Sequence, residues 1–245
     1  MRGTIGAVSA MALMAFTGAA NANTLEITYY EISEPNYGAD FGICCSSPPA
    51  TYEAVSVGDR LGPDGLPVNE GNVADVNGSG EILWWTPGTH NGDTVATTGN
   101  ATITLDYASN MYAPNSTGVN DSSYFETAVL TGVVMGHGSD VTFNVSADDD
   151  VMVYLNGVYV GGAQGVHGTS GGLINLGTLS GPNTLQIFYA DRAHTGANLS
   201  ITGFSGGSVV AAPEASTWAM MGLGFAGLGL AGFRARKAHS VAIDA

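Results

Sequence analysis

The sequence predicts an all-β protein built as an antiparallel β-sandwich, and three observations support this fold class. Apolar and polar residues alternate with a period of two in five short runs, at 101–107, 141–145, 151–155, 185–187 and 199–201. Asn156-Gly157 separates Val151–Leu155 from Val158–Val160, and this pair is typical of a two-residue hairpin turn in which both positions need a positive φ. No amphipathic helical period occurs between the terminal segments, so packed sheets must bury the core.

The first 22 residues predict a signal-peptide helix. Met1-Arg2 supplies a positive start, Ile5–Phe16 an apolar run, and Ala20-Asn21-Ala22 a small-x-small cleavage site. We expect cleavage between Ala22 and Asn23 and export of the chain. The sandwich is then expected at 23–203, and the Gly- and Ser-containing stretch 204–212 is predicted to be a flexible stalk.

The predicted body is strongly acidic. Residues 23–211 contain Arg60, Arg192 and no lysine against nineteen Asp and Glu residues, which leaves a formal charge of −17. Such a surface has no basic patch with which to displace counterions from phosphates, so nucleic-acid binding is excluded. Most of the carboxylates are expected to be solvated, and the others to bind metal cations.

The two cysteines, Cys44 and Cys45, are adjacent. Neighbouring Cα atoms lie about 3.8 Å apart, below the usual disulfide range of about 4.4–6.8 Å, so a bridge between them is a strained ring. A vicinal disulfide is slightly favoured in an oxidising exterior, and buried free thiols or an intermolecular link remain the alternatives.

The C-terminal segment, 213–238, predicts a membrane-held tail. It combines a polar motif, an apolar helix at 218–233 and a basic stop, followed by a cytoplasmic tail at 239–245. The polar motif is Pro213, Glu214 and Ala215, and the stop is Arg234, Arg236 and Lys237. Sixteen helical residues span about 24 Å, slightly less than a hydrocarbon core of about 30 Å. The alternative is a buried C-terminal helix.

This tail resembles the PEP-CTERM sorting signal from Ala212 to Ala238. The departure is Ala215, where that family usually has a second proline. The resemblance implies an exosortase-type transpeptidase as a partner. It also implies a precursor anchored in the inner membrane through the C-terminal helix, and then a location at the cell surface or in the extracellular matrix.

Three adjacent carboxylates, Asp148-Asp149-Asp150, lie where one predicted strand ends and the next begins. In a body almost without cations they repel one another unless water or metal intervenes, and calcium accepts 6–8 oxygen ligands with loose geometry. Bringing successive carboxylates onto one ion needs backbone that departs from a regular strand, such as a cis peptide. The alternative is a solvated acidic turn before the hairpin.

Catalysis is not expected. The acidic residues lie in turns or beside glycine, with no sign of the facing carboxylate pair that a glycosidase needs. Gly78-Ser79-Gly80 is predicted to be a simple turn and not a nucleophile elbow. The five histidines never occur at zinc spacing and are expected on the surface or in turns.

The segment Val141–Gly157, an acidic triplet that runs into a hydrophobic strand and an Asn-Gly turn, resembles the fibro-slime domain, a relative of the PA14 family. The likeness continues upstream through Leu61–Val68 and downstream through Gly161–His167 and Ile187–Asn198. It covers about 37–204, nearly the whole body, and implies a PA14-like β-sandwich.

In the wider PA14 family, two successive aspartates joined by a cis peptide hold a calcium ion that coordinates sugar hydroxyls. The matching residues are Asp148 and Asp149, with Asp150 next and Asn198 in the closing loop as further oxygen ligands. Of the pair Trp84-Trp85, strand alternation predicts that at most one side chain is exposed, and Trp85 is the candidate for stacking on a sugar.

The sequence therefore favours a secreted, surface-sorted protein that binds carbohydrate, such as the exopolysaccharide of its own cell, through a calcium-organised site. The alternative from another class is a structural matrix or surface protein with structural calcium and no sugar site.

Overall fold

The computed structural model describes residues 23–33, 40–42, 56–112, 124–193 and 195–212. In these ranges the chain contains strands, turns and bends but no helix, so it has no helix long and apolar enough to cross a membrane. The predicted signal peptide, Cys44-Cys45, and the predicted sorting tail with its helix lie outside the described residues. The strands are β1 (Thr24–Ser33), β2 (Val57–Leu61), β3 (Pro67–Asn69), β4 (Gly88–His90), β5 (Asp93–Thr104), β6 (Tyr107–Asn110), β7 (Tyr124–Gly136), β8 (Asp140–Asp148), β9 (Asp150–Leu155), β10 (Val158–Ala163), β11 (Ser170–Thr178), β12 (Pro182–Ala190), β13 (Asn198–Ser205) and β14 (Gly207–Ala211).

The strands form two antiparallel sheets, which confirms the predicted fold class. The larger sheet has the order β3-β2-β10-β9-β12-β7-β1-β5-β4, and β14 also pairs with β7. The smaller sheet has the order β11-β8-β13-β6. The first core lies between the sheets, because alternate side chains of β8, such as Val141, Phe143 and Val145, pack with apolar residues from strands of the larger sheet.

A second core covers the other face of the larger sheet. Trp84, Trp85 and Phe41 from the connecting segments pack there against Phe125 of β7 and Phe188 of β12. Burying each large apolar side chain contributes about 1.5–3 kcal/mol, so both faces of the larger sheet add to the stability of the fold. The larger sheet is therefore the central layer, with the smaller sheet on one side and connecting segments on the other.

The predicted hairpin is confirmed. Asn156 and Gly157 have φ angles of 52° and 74°, and they join β9 to β10. Asn156 also fixes the neighbouring turn, because its Oδ1 accepts the N–H of Thr184 at 2.9 Å and its Nδ2 donates to Oδ1 of Asn183 at 2.8 Å. The hairpin thus positions the whole of β9, whose first residue is Asp150.

The predicted stalk at 204–212 is wrong. Residues 204 and 205 complete β13, and β14 pairs with β7 along its length, from Gly207 opposite Gly136 to Ala211 opposite Gly132. Val209 of β14 is fully buried in the first core. Gly206, with a φ of 79°, makes the turn between the two strands. The glycines therefore mark a turn and not a linker, and the sandwich continues to Ala211.

Candidate functional site

The acidic triplet carries the chain from one sheet to the other. Strand β8 of the smaller sheet ends at Asp148, and β9 of the larger sheet begins at Asp150. The peptide bond between Asp148 and Asp149 is cis, as the resemblance to the PA14 family implies. All three side chains are buried, with exposed fractions of 8%, 0% and 0% along the chain. The solvated acidic turn is therefore not what the structure shows.

Asp149 is fixed by three backbone amides from two separate loops. Its Oδ1 accepts the N–H of His167 at 2.9 Å, and its Oδ2 accepts the N–H groups of Arg192 and Ala193 at 2.8 and 2.9 Å. Hydrogen bonds to a carboxylate from backbone amides are charge-assisted and strong. The side chain therefore joins the loop after β10 to the loop after β12 and has one set orientation.

Asp148 lies against Gly196 and Tyr189. A Cβ atom at Gly196 would lie 2.6 Å from Oδ2 of Asp148, so the carboxylate occupies space that only a glycine leaves open. The hydroxyl of Tyr189 donates to the backbone oxygen of Asp148 at 2.8 Å. Glycine is also required because residue 196 has a φ of 86°.

Asn198 is the residue of β13 directly opposite Asp148. Its Nδ2 donates to the backbone oxygen of Gly196 at 2.7 Å and to Oγ1 of Thr169 at 2.8 Å. The amide nitrogen thus uses both hydrogens to hold the two loops beside the triplet, which leaves Oδ1 as the atom with which Asn198 could bind a cation.

Asp150 does not belong to this group, and the structure corrects its predicted role as a calcium ligand. Its Oδ1 accepts the N–H of Gly165, and its Oδ2 lies 3.5 Å from NH1 of Arg192. The guanidinium of Arg192 lies 5.0 Å from the centre of the Trp84 ring, and its Nε donates to the backbone oxygen of Asp40 at 2.9 Å. Asp150 forms a fully buried ion pair because the regular strand β9 turns its side chain away from Asp149.

Asp148 and Asp149 line a pocket of about 180 Å³ between the two loops. Its other walls are Val166, His167, Gly168, Ala193 and Thr195. The histidines are predicted in turns or on the surface, and His167 lies in the loop after β10, half-buried at this pocket, with its Nδ1 2.9 Å from the backbone oxygen of Gly168. In the sequence, the likeness of Gly165-Val166-His167 to the fibro-slime domain was the one feature that pointed to His167 as part of the site.

The charge of the site is unbalanced. Arg192 is the one buried basic side chain among the described residues, whereas the triplet contributes three buried carboxylates. Burial raises the pKa of Asp149 to about 7, although the backbone amides of Arg192 and His167 act in the opposite direction. Burial likewise raises the pKa of Asp148. A cation in the pocket would offset this cost by stabilising the ionised carboxylates.

The donor set suits calcium. The described residues contain no group of three or more His, Cys, Asp or Glu side chains placed to hold a metal ion. Two carboxylates and one amide oxygen, with backbone oxygens and water completing the shell, are instead the mixed oxygen ligands that calcium accepts at 6–8 positions. Asp148 and Asp149 could therefore hold a calcium ion, with Asn198, which pairs with Asp148 across the sheet, as a further oxygen ligand.

Trp85 cannot stack on a sugar, which corrects its predicted role. Its exposed fraction is 3%, it packs in the second core, and its Nε1 donates to the backbone oxygen of Tyr189 at 2.8 Å. Trp84 is also fully buried, and the two rings lie 5.6 Å apart. The alternation rule fails here because residues 84 and 85 form a turn and not a strand.

No protein family model matches the chain, and no curated protein matches it. Several solved structures are similar. The PA14 sugar-binding domain from an RTX adhesin is 27% identical, with a TM-score of 0.28, and the match covers 33% of this chain and 50% of that domain. The epithelial adhesin 9 A domain from Candida glabrata, solved with Galβ1-4GlcNAc, is 12% identical, with a TM-score of 0.37 and coverage of 76% and 84%. The PA14 domain of the MpAFP antifreeze protein is 13% identical, with a TM-score of 0.31 and coverage of 76% and 91%. The chain spans half the length of the first of these.

Proposed function

We propose that this protein binds extracellular carbohydrate through a calcium ion held by Asp148 and Asp149. One observation carries the proposal: two adjacent, buried carboxylates line an open pocket, and the only buried basic side chain of the described residues is paired with Asp150. Buried charges are retained only when they are paired or coordinate a metal. The ordered likeness to fibro-slime sequences supports the same assignment.

The chain's own residues prepare the site in three ways. The amides of His167, Arg192 and Ala193 hold the Asp149 carboxylate, so one lone pair of Oδ1 remains for a cation. Gly196 leaves room for the carboxylate of Asp148, and Asn198 fixes the loop beside it. A bound calcium ion would supply coordination positions at which vicinal sugar hydroxyls can replace water.

The polar rim of the pocket would then contact the sugar. Thr195 and Gly168 are exposed at this rim, and Val166 and Ala193 form its small apolar floor. In the described part of the chain no lysine or arginine side chain lines the pocket, and we expect the hydroxyls of the sugar to make the contacts.

Calcium titration by calorimetry tests the proposal. The whole chain should bind calcium, and the double variant Asp148→Asn/Asp149→Asn should not. Asp140→Asn is the matched control, because this exposed carboxylate on β8 accepts only a hydroxyl hydrogen bond from Thr178 in the structure. A glycan panel screened with calcium and then with chelator should give binding in the first condition alone. Calcium-independent glycan binding would refute the mechanism.

A structural matrix protein is the second candidate, and the crossing between the sheets favours it. Asp149 joins β8, β9 and two loops, so a calcium ion here would stabilise the sandwich without any sugar. In that case calcium raises the melting temperature, and no glycan in the panel changes it further.

We also propose that the chain is exported and sorted to the cell surface or matrix by an exosortase-type enzyme that reads its C-terminal tail. The support is the order of the polar motif Pro213-Glu214-Ala215, the apolar segment and the basic stop. Replacing Pro213 and Glu214 with alanine should leave the precursor in the inner-membrane fraction. Unchanged delivery of that variant would contradict the sorting mechanism.

A further inference from the structure

A second pocket opens where the edge of the smaller sheet faces the larger sheet. It has a volume of about 260 Å³ and contains three tyrosines and one carboxylate. The lining residues are Tyr29, Thr98, Gly99, Tyr107, Ser109, Asn110, Met111, Tyr112 and Glu126. These residues come from β1, β5, β6, β7 and the segment after β6, and none of them belongs to the pocket at Asp148.

The described residues leave the aromatic wall of this pocket uncovered on one side. Tyr29 of β1 lies directly opposite Gly99 of β5, and directly opposed residues of an antiparallel pair share one face of the sheet. A Cβ atom at Gly99 would meet no atom of the described residues within 4 Å. The missing side chain at residue 99 therefore leaves space beside the ring of Tyr29.

Packing and one hydrogen bond hold the tyrosines in place. Tyr29, Tyr107 and Tyr112 pack against the first core, and the hydroxyl of Tyr107 donates to the sulfur of Met111 at 3.5 Å. Rings held in one position lose little conformational entropy when a ligand packs on them. The wall is thus prepared to receive a flat, partly apolar surface.

The polar groups of the pocket define the ligand's charge. Glu126, which is 3% exposed, is the one charged residue among the described residues of the lining, and most of the others offer hydroxyl or amide groups. An anionic ligand is disfavoured because residues 23–211 carry a formal charge of −17. A purely apolar ligand would remove water from the hydroxyl and amide groups without replacing its hydrogen bonds. A neutral sugar ring fits both constraints, since its C–H face packs on an aromatic ring and its hydroxyls hydrogen-bond at the edge.

A groove runs from this pocket to Asn198, beside the proposed calcium site. Asp148 of β8, Asn198 of β13 and Asn110 of β6 lie side by side in register across the smaller sheet. With about 4.8 Å between neighbouring strands, the row is about 10 Å long. A surface groove lined by Ser109, Asn110, Asn198 and Ser200 follows this row, and Ser109 and Asn110 also line the tyrosine pocket.

We propose that the tyrosine pocket is a second carbohydrate subsite, which binds a neutral sugar ring of a chain whose other end is held at Asp148 and Asp149. The position of the chain rests on the proposed function, whereas the subsite itself needs no calcium. The ligand is therefore an oligosaccharide or polysaccharide and not a single terminal sugar.

Filling the pocket tests the subsite. Gly99→Tyr places a side chain into the open space, and Gly172→Tyr on β11 is the matched control, because a Cβ atom there also meets nothing within 4 Å and residue 172 lines none of the three surface depressions. The probes are neutral gluco-, galacto- and manno-oligosaccharides from monosaccharide to hexasaccharide, with the matching uronate oligomers, titrated against the whole chain in calcium and in chelator.

The parent and Gly172→Tyr should bind a neutral oligosaccharide roughly two- to tenfold more tightly than the monosaccharide, the gain that one aromatic contact provides. Gly99→Tyr should lose that gain and keep the monosaccharide affinity. Tyr29→Phe removes a hydroxyl from the pocket without adding bulk and should reduce the same gain in affinity. Tyr30→Phe, on the other face of β1, should leave that gain unchanged. Length dependence that survives Gly99→Tyr, binding of uronate oligomers alone, or no neutral binder at all would overturn the subsite.

The outcomes also separate the two proposals. Binding that is abolished by chelator but unaffected by Gly99→Tyr supports the calcium site and removes the subsite. Binding that is blocked by Gly99→Tyr but unaffected by chelator supports the subsite and removes the calcium mechanism.

Discussion

Replacing Asp149 with asparagine tests how the site is built. The carboxylate accepts one backbone hydrogen bond on Oδ1 and two on Oδ2. An asparagine can turn its one oxygen toward the amides of Arg192 and Ala193, but its NH₂ group then faces the amide of His167. A buried donor without an acceptor costs about 1–3 kcal/mol, so we expect the free energy of unfolding to fall by about 2 kcal/mol without calcium.

Calcium should widen this difference. A ligand that binds only the folded state adds about 2.7 kcal/mol at one hundred times its dissociation constant. The parent should gain this amount, and Asp149→Asn should gain nothing, so the gap in calcium should approach about 5 kcal/mol.

Urea denaturation followed by tryptophan fluorescence measures both values, because Trp84 and Trp85 lie in the second core. Asp140→Asn, which changes an exposed carboxylate on the same β8 strand, should behave like the parent. If calcium stabilises Asp149→Asn as much as the parent, the ion binds elsewhere and the assignment of Asp149 fails.

Four further predictions follow from the same contacts. Gly196→Ala should weaken calcium binding at least roughly tenfold in calorimetry, because the added Cβ would lie 2.6 Å from Oδ2 of Asp148. Gly168→Ala is the control and should bind calcium as the parent does, because a Cβ there meets no described atom within 4 Å. Burial raises the pKa of Asp149 from 3.8 to about 7, so the folded state binds more protons than the unfolded chain between these values. The unfolding free energy of the calcium-free protein should therefore fall as pH rises through this window, and calcium affinity should increase, while a flat affinity profile would contradict the assignment. Arg192→Met should cost about 3–5 kcal/mol in urea denaturation, because it leaves Asp150 buried without its ion pair, and Arg192→Met/Asp150→Asn should recover part of the loss. Val209→Ala should lower the free energy of unfolding by about 2–3 kcal/mol and Val210→Ala by much less, since of these two residues only Val209 is fully buried. Equal small losses would indicate that 207–211 is a linker and not a packed strand.

The sequence predicted the sandwich well where local rules and burial agree. Four of the five alternating runs lie within strands, and the fifth, 101–107, is divided between β5 and β6 by residues 105 and 106. Asn156-Gly157 became the expected turn because both residues can adopt the positive φ that a type I′ turn needs. The prediction of a stalk at 204–212 was wrong because Gly-Gly-Ser is typical of a linker, and the sequence does not show that β7 has an edge free to pair with β14. Pairing between residues far apart in the chain leaves no local signal.

For the candidate site, the sequence singled out Asp148 and Asp149 but not the backbone groups that hold Asp149. The amides of Arg192 and Ala193 come from more than forty positions away in the chain, and a backbone donor has no side-chain signature. Asp150 was assigned to the site as the third member of the acidic triplet, and Trp85 because strand alternation predicts at most one exposed tryptophan. Tertiary packing gave both residues roles inside the protein.

The position of the triplet couples any bound cation to the fold, and this decides which measurement separates the two candidate functions. Asp149 links the smaller sheet, the larger sheet and two loops, so a cation there raises the free energy of unfolding whether or not a sugar follows. Calcium-dependent stability therefore cannot distinguish a carbohydrate-binding protein from a structural one, whereas the change in melting temperature on adding a sugar can. A glycan that binds the calcium-loaded protein must raise the melting temperature further, and it must raise the apparent calcium affinity by the same coupling free energy, because linkage between two ligands is reciprocal. A structural calcium site shows no such increment with any sugar, and this second step of stabilisation is the observation on which the carbohydrate function depends.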